Sequence, residues 1–418
     1  MYLHRIAEKR LLDTSKQFAA IVILGPRQVG KSTMIRMTLS EGFNSVTLDN
    51  ADELALADSS PDAFLNAHPY PLFIDEIQKA PKLFDAIKIR IDDKKFEWMK
   101  NDQPIELMYI LSGSNQFELK NKVYDSLAGR ICPMHLYSLS YPEKMQVTFK
   151  AFTPDIKTLL ERERVYPLKP LSQDEVFSLI LEGGLPELVT HKQDRHKYWT
   201  TYLETYIDKD VQKAVQSKNL SLFRSFLRLL ALRTGQELNK TSLSNSLGIS
   251  TKTVDEWLSI LELSGIIYLL HPYMANASKR IIKAPKIYFL DTGFCAWLCG
   301  WSDSNMLKDS AMSGAFYETY VITEIIKSLE GEGIDSKDVL YYYRDIDQKE
   351  IDILYVDKGT ITPIEIKKSV FPVKPTKNFS VLSKYGLPIN PGLIIDTASN
   401  MHPVNEKAWI YPIHLLGA

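Results

Sequence analysis

The sequence predicts an α/β protein whose first domain is built on a parallel sheet, because apolar strands alternate with helical stretches and end in polar residues. The run at 18–24 reads as a strand, and a helical stretch follows at 33–39. A second apolar run ends at Asp75-Glu76, and a third ends at Ser112. Such alternation favours a parallel sheet, in which functional side chains gather at the carboxyl ends of the strands.

The bulk properties are those of an ordinary globular chain. Its 418 residues suggest about three domains. Hydrophobic residues make up 45% and charged residues 24%, and the net charge is −1, so any contact with nucleic acid has to come from a local patch. Three cysteines form neither a disulfide framework nor a zinc pattern. The chain has no apolar run near the roughly 20 residues of a membrane span and no signal-peptide core, so we expect a soluble, cytoplasmic protein with no membrane partner.

The turn after the first strand matches the phosphate-binding pattern G-x-x-x-x-G-K-[ST]. Its glycines allow a tight turn whose N–H groups, together with a helix N-terminus, point at nucleotide phosphates. Lys31 would reach the β- and γ-phosphates, and the Ser32 hydroxyl would hold Mg²⁺. The predicted nucleotide-binding residues of this loop are Gly25, Pro26, Arg27, Gln28, Val29, Gly30, Lys31, Ser32 and Thr33.

The second strand supplies the chemistry of hydrolysis. We expect it to lie beside the strand of the loop and to deliver Asp75 to the magnesium ion, usually through water. Glu76 follows directly and is the candidate general base that polarises the attacking water. An Asp-Glu pair after an apolar run is often only a solvated strand end. Its position about 45 residues after a phosphate-binding loop favours the functional interpretation.

Two further features of this domain leave alternatives open. Ser114 or Asn115, after the third strand, can sense the γ-phosphate; the sequence does not choose between them, and a simple turn is almost as good an explanation. Arg130 follows a helical segment and can stabilise transition-state charge by reaching the γ-phosphate of a neighbouring subunit. A salt bridge explains the same arginine equally well.

Together these residues resemble the AAA+ superfamily, with Walker A at 25–32, Walker B at 75–76, sensor 1 at 114–115 and an arginine finger near Arg130. More narrowly, and over essentially its whole length, the chain is similar to a prokaryotic STAND-like ATPase family. That family joins an AAA+ core to a C-terminal domain of uncertain function. The resemblance implies ATP and Mg²⁺ as cofactors and a homo-oligomer, foremost a hexameric ring.

The resemblance places the AAA+ core at 1–145 and a helical lid at 146–218. In related signalling ATPases a Gly-x-Pro element of the lid touches the bound nucleotide. Gly184-Leu185-Pro186 is similar to that element, so Pro186 is a candidate nucleotide contact. A Gly-Pro turn needs no ligand to form, and the structural explanation therefore stays open.

The region 219–295 predicts a winged helix, which is a helix-turn-helix followed by a hairpin. The predicted helices span 221–234, 241–247 and 250–264, and the predicted strands span 266–270 and 286–290. The third helix is net acidic, which does not favour reading of bases in the major groove. The hairpin region suits phosphate contact through Lys279, Arg280, Lys283 and Lys286. A structural or protein-contact role is the alternative.

Two strands near the C-terminus are joined by a turn candidate at 357–360. A loop of two or four residues places Asp352 opposite Glu365, with Cβ atoms roughly 5 Å apart on one face. Lys367 shares that face, whereas a three-residue loop would shift the register and separate the group. Facing carboxylates repel each other unless a cation lies between them, and Mg²⁺ prefers such oxygen ligands.

These residues resemble the PD-(D/E)xK restriction-endonuclease-like fold, in a domain at 296–418. Asp352 is the motif aspartate and Glu365-Ile-Lys367 the E-x-K; the usual proline before the aspartate is absent. The resemblance implies a Mg²⁺ or Mn²⁺ site with Asp352 and Glu365 as ligands and Lys367 as a catalytic lysine. Glu318, on the preceding helix, could complete it. Positive charge for a nucleic-acid backbone would come from Lys368, Lys374 and Lys377.

Two functions follow from the sequence. The first is an oligomeric, Mg²⁺-dependent ATPase coupled to a nuclease-like domain that engages DNA or RNA. The second is a regulatory ATPase switch whose winged-helix and nuclease-like domains bind a protein partner without cleavage. Both depend on ATP hydrolysis at the first site.

Overall fold

A computed structural model describes residues 1–39, 42–113, 127–148, 150–207, 220–274, 283–369 and 372–417. The chain divides into two compact units, one of residues 2–137 with 263–265 and one of residues 138–262 with 266–418. The sensor candidates Ser114 and Asn115, and Lys279 and Arg280 of the predicted hairpin region, lie outside the described residues.

The first unit is an α/β unit built on a five-stranded sheet. Its helices are α1 (Ala7–Thr14), α2 (Lys31–Thr38), α3 (Ala51–Ser59), α4 (Pro61–Ala67) and α5 (Lys82–Lys100). Its strands are β1 (Ala20–Leu24), β2 (Asn44–Thr47), β3 (Leu72–Asp75), β4 (Tyr109–Ser112) and β5 (Ile131–His135). A 3₁₀ turn at Ile77–Lys79 follows β3.

All pairings in this sheet are parallel, in the order β2-β3-β4-β1-β5. The expected parallel sheet is therefore confirmed, but the expectation that the Asp75 strand lies beside the strand of the loop is wrong. Strand β4 lies between them, because Tyr109 pairs with Ala20 on one side and with Leu72 on the other. Three buried apolar runs look alike in sequence, and only the crossovers between them set their order in space.

The core of this unit lies on both faces of the sheet. Every residue of β1 and of β4 is buried, which requires cover on both faces and explains why these strands read as continuous apolar runs. Among the described residues of the whole chain, no helix combines the length and the apolar character that crossing a membrane requires.

The second unit begins with helices. In chain order they are α6 (Tyr141–Met145), α7 (Ile156–Glu163), α8 (Gln173–Glu182), α9 (Pro186–Thr190) and α10 (Arg195–Tyr202), followed by a π-helical turn at Leu203–Ile207. Next come α11 (Leu220–Ala231), α12 (Lys240–Leu247) and α13 (Thr251–Leu263), then β6 (Ile267–Leu270) and β7 (Lys286–Phe289). Strands β6 and β7 form an antiparallel pair. The elements expected of a winged helix are thus present, while that identity stays a prediction.

The rest of this unit carries the helices α14 (Thr292–Leu298), α15 (Ser304–Asp309), α16 (Ser313–Gly331) and α17 (Ser336–Val339). Its strands are β8 (Leu340–Arg344), β9 (Glu350–Asp357), β10 (Thr360–Ile366), β11 (Gly392–Asp396), β12 (His402–Asn405) and β13 (Ala408–Pro412). The 3₁₀ turns lie at Phe379–Tyr385 and Ile413–Leu415.

These strands form a mixed six-stranded sheet in the order β12-β13-β11-β10-β9-β8. The hairpin of β9 and β10 turns through Lys358 and Gly359, which both have positive φ, of 47° and 77°. Positive φ at both central residues is typical of a two-residue hairpin turn. The pairing of Asp357 with Thr360 continues to Ile353 with Ile364, so the register predicted from the loop length is confirmed.

Candidate functional site

The loop between β1 and α2 has the backbone that phosphate binding requires. A Cβ atom at Gly25 (φ 149°) would overlap the carbonyl oxygen of Leu136, so only glycine fits there. Gly30 lies directly before α2 with φ 90°, and Gln28 also has a positive φ, of 62°. The loop therefore turns tightly into the N-terminus of a helix, where backbone N–H groups favour anions.

Lys31 is the first residue of α2, and its side chain folds back over the loop. Its ammonium group donates to the carbonyl oxygens of Gly25 and Pro26, at 2.8 Å each, and the residue is buried. The positive charge is thus held at the phosphate-binding turn, against neutral oxygens that a phosphate can replace.

Asp75 ends β3 and is held by three neutral donors. The Ser32 hydroxyl donates to its Oδ2 at 2.7 Å, the Glu76 N–H donates to its Oδ1 at 3.1 Å, and the Ser112 hydroxyl also donates to Oδ1. The two predicted magnesium residues, Ser32 and Asp75, are therefore in contact. A hydroxyl and a carboxylate oxygen are the hard donors that Mg²⁺ takes, so this pair fits the ion.

Ser112 was missed by the sequence reasoning, which looked for a polar contact beyond the end of β4. The available signal was that Ser112 and Asp75 both end parallel strands. Because β4 pairs directly with β3, their side chains meet at the same edge of the sheet.

Glu76 occupies a special backbone position. It has φ 57°, in the left-handed region that non-glycine residues rarely enter, and such strain clusters at functional sites. The side-chain amide of Gln78 donates to the Glu76 carboxylate. Gln78 is itself buried, and its own carbonyl oxygen accepts from no described donor. The buried Gln78 therefore orients the Glu76 carboxylate.

Arg5 is a second residue that the sequence reasoning missed. Its buried guanidinium donates to the carbonyl oxygens of Val29 and Tyr137, at 2.6 Å each. Val29 belongs to the phosphate-binding loop, so the N-terminal segment clamps that loop. In sequence Arg5 is one charge among several in an amphipathic stretch, and nothing marks it as different.

Arg130 forms the salt bridge that the sequence analysis gave as the alternative to an arginine finger. Its Nε and Nη2 donate to the two carboxylate oxygens of Asp92 at 2.6 Å and 2.8 Å, a bidentate pair. The same hydrogen bonds lower the pKa of the Asp92 carboxyl. An arginine finger at this position would first have to leave Asp92.

The Gly183-Gly184 turn of the second unit is explained by packing. The Asp291 carboxylate accepts from the N–H of Gly184 at 2.8 Å and also caps the N-terminus of α14. A Cβ atom at Gly184 would press against the carbonyl oxygen of Leu139, and Pro186 is simply the first residue of α9. The contact of Pro186 with nucleotide stays a prediction.

The C-terminal constellation lies on one face of the mixed sheet. Lys367 forms ion pairs with Glu365 at 2.5 Å and with Asp352 at 3.6 Å, and the Asp352 carboxylate accepts from the N–H of Ile366 at 2.7 Å. Asp352 and Glu365 are buried. The structure thus brings together the three motif residues.

Glu318 lies on α16, as predicted, and is held by groups that the prediction did not include. The ammonium group of Lys286 is 3.0 Å from the Glu318 carboxylate and 2.5 Å from that of Glu350. The Tyr288 hydroxyl donates to Glu318 at 2.5 Å. Lys286 is buried, so the expectation that it contacts phosphate from the hairpin region is wrong; its charge is used inside the protein.

The electrostatics of this cluster follow from burial and crowding. Burial, and then the Asp352 charge, raise the pKa of Glu365 to about 8, against the lowering effect of Lys367. Burial and Asp352 likewise raise the pKa of Glu318. Burial alone would lower the pKa of Lys367, but Asp352 and Glu365 outweigh it and the pKa rises. The carboxylates of this cluster therefore carry an excess of negative charge unless an ammonium group or another cation balances it.

A metal ion does not fit this cluster as it is arranged. Within the described ranges, no group of three or more histidine, cysteine or carboxylate side chains is placed to hold a metal ion. Glu318 is turned towards Lys286, and both Glu365 and Asp352 face Lys367, so all three proposed ligands already face an ammonium group.

The parallel sheet and the loop geometry define the first unit as a P-loop domain. Residues 17–145 match the family model described as an AAA domain. Two more models match later segments, each described as a domain of unknown function: DUF8612 at residues 173–305 and DUF4143 at residues 313–416.

Relatives resemble the chain over most of its length. Uncharacterized proteins of Mycobacterium tuberculosis and Mycobacterium bovis are each 25% identical over 374 residues, which is 88% of this chain and 74% of theirs. Among solved structures, a Walker-type ATPase of Pyrococcus abyssi is 15% identical, with a TM-score of 0.41 over 71% of this chain and 96% of that one. The ORC2 protein of Aeropyrum pernix is 14% identical, with a TM-score of 0.32 over 71% and 89%.

Proposed function

We propose that the chain is a Mg²⁺-dependent ATPase that acts at the loop of β1 and α2. The observation that carries this proposal is the 2.7 Å contact between the Ser32 hydroxyl and the Asp75 carboxylate, next to a loop that holds the Lys31 ammonium group. These are the groups that phosphoryl transfer requires, because its catalysis consists mainly of positioning and charge stabilisation.

Each residue of this site has a defined task. The loop N–H groups and Lys31 bind the phosphates, and Ser32 and Asp75 would hold the magnesium ion. The bound ion supplies neutralisation of the charge that develops on the phosphate oxygens. Glu76 accepts the proton of the attacking water, in the orientation that Gln78 gives its carboxylate.

Steady-state ATP turnover tests the assignment. Lys31→Ala should abolish ATP binding, whereas Glu76→Gln should retain ATP binding and lose roughly 10²- to 10⁴-fold in turnover, the usual contribution of a general base. The matched controls are the exposed residues Lys82→Ala and Glu106→Gln, which should leave turnover unchanged. Turnover that survives both Lys31→Ala and Glu76→Gln would overturn the proposal.

The proposed active form is a homo-oligomeric ring, foremost a hexamer, in which Arg130 reaches the γ-phosphate bound by a neighbouring subunit. Turnover per subunit should then rise with protein concentration. Arg130→Ala should remove that rise, while Asp92→Asn, which frees the arginine, should keep it. A flat concentration dependence in a monomeric protein would contradict the ring.

The proposed output is a nuclease-like domain that engages DNA or RNA. It is supported by the placement of Asp352, Glu365 and Lys367 together on one face of the hairpin. For a divalent cation to bind there, Lys367 would first have to leave the two carboxylates that it faces. Nicking of single- or double-stranded DNA or RNA with Mg²⁺ or Mn²⁺, lost in Asp352→Asn and kept in Lys31→Ala, is the expected result. If none of these substrates is cleaved with either metal ion, the proposal of a nuclease is wrong.

A second candidate is a regulatory ATPase switch that binds a protein partner without cutting. The observation that favours it is Lys286, a buried ammonium group that already balances Glu318 and Glu350. In this case the winged-helix and nuclease-like segments serve as contact surfaces. ATP turnover with intact sites and no nicking by any variant would select this candidate.

A further inference from the structure

A cavity of about 710 Å³ lies in the second unit, and none of its lining residues has been assigned a function so far. Its volume is within the range that holds a small organic ligand. It is lined by residues of α8, α10, α11 and α14 and of the segment 299–302 that follows α14. The chemically distinctive members are Arg195, His196, Trp199, Arg228, Trp297 and Trp301.

Tryptophan provides much of the wall. Trp297 stacks one face against Phe294, with an angle of 13° between the rings, and its N–H donates to His196 at 3.2 Å. The tryptophans therefore give the cavity flat aromatic surfaces, on which a planar ring can stack.

The charged groups of the cavity are mainly positive. Arg195 has a carboxylate of Glu182 only at 3.9 Å, and Arg228 is exposed and forms no ion pair with a described residue. The acid in the lining, Asp194, uses its carboxylate to cap the N-terminus of α10 through the N–H of Lys197. Two guanidinium groups therefore face a ligand without a matching pair of carboxylates, which favours an anion.

A second cavity, of about 790 Å³, shows that size alone does not give this chemistry. Its lining mixes three acids, Glu237, Asp255 and Glu262, with two lysines, of which Lys240 pairs with Asp255 at 2.6 Å. It contains no tryptophan or arginine. Nothing in it selects for an anion or for a flat ring.

We propose that the tryptophan and arginine cavity binds a nucleotide unit. The base stacks on the indole rings, and the phosphate binds Arg195 and Arg228. The unit is either a free nucleotide or a residue of a single-stranded nucleic acid, since both present the same base and phosphate. This site is separate from the phosphate-binding loop and does not depend on ATP hydrolysis there.

The test uses the full chain with Lys31→Ala, so that binding at the first loop is suppressed. Equilibrium dialysis of radiolabelled AMP and ATP, and anisotropy of a labelled 5′-phosphorylated oligothymidylate, measure the two sources separately. Arg228→Gln should weaken binding about tenfold or more, and Trp297→Leu roughly five- to a hundredfold. Lys197→Gln, on the same helix as Arg195 and outside the cavity, is the matched control and should change nothing.

Binding of AMP and of the oligonucleotide with similar affinity identifies a free nucleotide as a sufficient ligand. Binding of the oligonucleotide but not of AMP identifies a single-stranded nucleic acid as the ligand. Either result supports the proposal if Arg228→Gln weakens it. No binding of any probe, or binding that Arg228→Gln and Trp297→Leu leave unchanged, overturns it; Arg228 is exposed, so its variant is expected to fold.

Discussion

The phosphate-binding loop and the C-terminal cluster both combine carboxylates with lysine, and they balance charge in opposite ways. At the loop, Lys31 donates to two backbone carbonyls, and Asp75 accepts from two hydroxyls and an N–H, which are neutral donors. In the C-terminal cluster, Lys286 and Lys367 are ion-paired with the carboxylates themselves. A site held by neutral groups keeps its charge for a ligand, whereas a site with its own counter-ions can be stable without one.

The largest effect should come from removing the internal counter-ion. Lys286→Met leaves the half-buried Glu318 without its cation and Glu350 with only Arg344, which should lower the free energy of unfolding by about 3 kcal/mol. Thermal or urea unfolding measures it, with the exposed Lys283→Met as control. The double variant Lys286→Met with Glu318→Gln should recover part of this loss of stability. If Lys286→Met alone were as stable as the wild type, the C-terminal cluster would not depend on its own counter-ions, and the contrast with the loop would be wrong.

The second effect is a pH dependence of stability. Glu365 has its pKa raised to about 8 in the folded chain, above its usual value near 4.5, so the folded state holds this proton more tightly. Its contribution to stability is complete below about pH 4.5 and is lost as the pH rises through 8. The charged groups that face it are Asp352 and Lys367.

Urea unfolding at pH 6 and pH 9 isolates that contribution. Wild-type stability should fall between these values by about 1–3 kcal/mol more than that of Glu365→Gln. The exposed Glu406→Gln should follow the wild type. Equal pH slopes for wild type and Glu365→Gln would show that this carboxyl already ionises normally.

At the phosphate-binding loop, removing a partner of a charged group should raise the Mg²⁺ requirement of ATP turnover rather than lower the stability. Ser112→Ala removes one neutral donor from Asp75, and hydrogen bonds to a charged group are worth about 1.5–3 kcal/mol. We expect the Mg²⁺ concentration for half-maximal ATP turnover to rise roughly tenfold or more, with ATP binding retained. Ser45→Ala, exposed on β2 of the same sheet, is the control. An unchanged Mg²⁺ requirement would remove Ser112 from the site.

The smallest effect concerns the ion pair of Arg130 and Asp92, which lies at the surface. Asp92→Asn should change the free energy of unfolding by less than about 1 kcal/mol, because exposed pairs gain little. Urea unfolding measures this change. A larger loss would mean that Arg130 serves mainly to hold α5, and would count against a role at a neighbouring subunit.

The sequence was sufficient where local rules determine geometry. The phosphate-binding pattern requires its turn, and the two-residue hairpin at Lys358 and Gly359 determines the register that joins Asp352 to Glu365. It was insufficient where partners come from distant segments. The order of β1, β4 and β3 and the contacts of Arg5 and Lys286 depend on tertiary packing, and a lysine in a basic hairpin looks the same whether it faces water or a buried glutamate.

The contacts of Arg5 also determine where this chain can be shortened without disturbing the nucleotide-binding loop. The recognised AAA segment begins at residue 17, and a fragment cut there would keep every residue of the motif and lose the clamp on Val29. Such a fragment would hold the right side chains on a looser loop. The segment that matches the family model is therefore shorter than the segment that the nucleotide-binding loop needs to keep its shape.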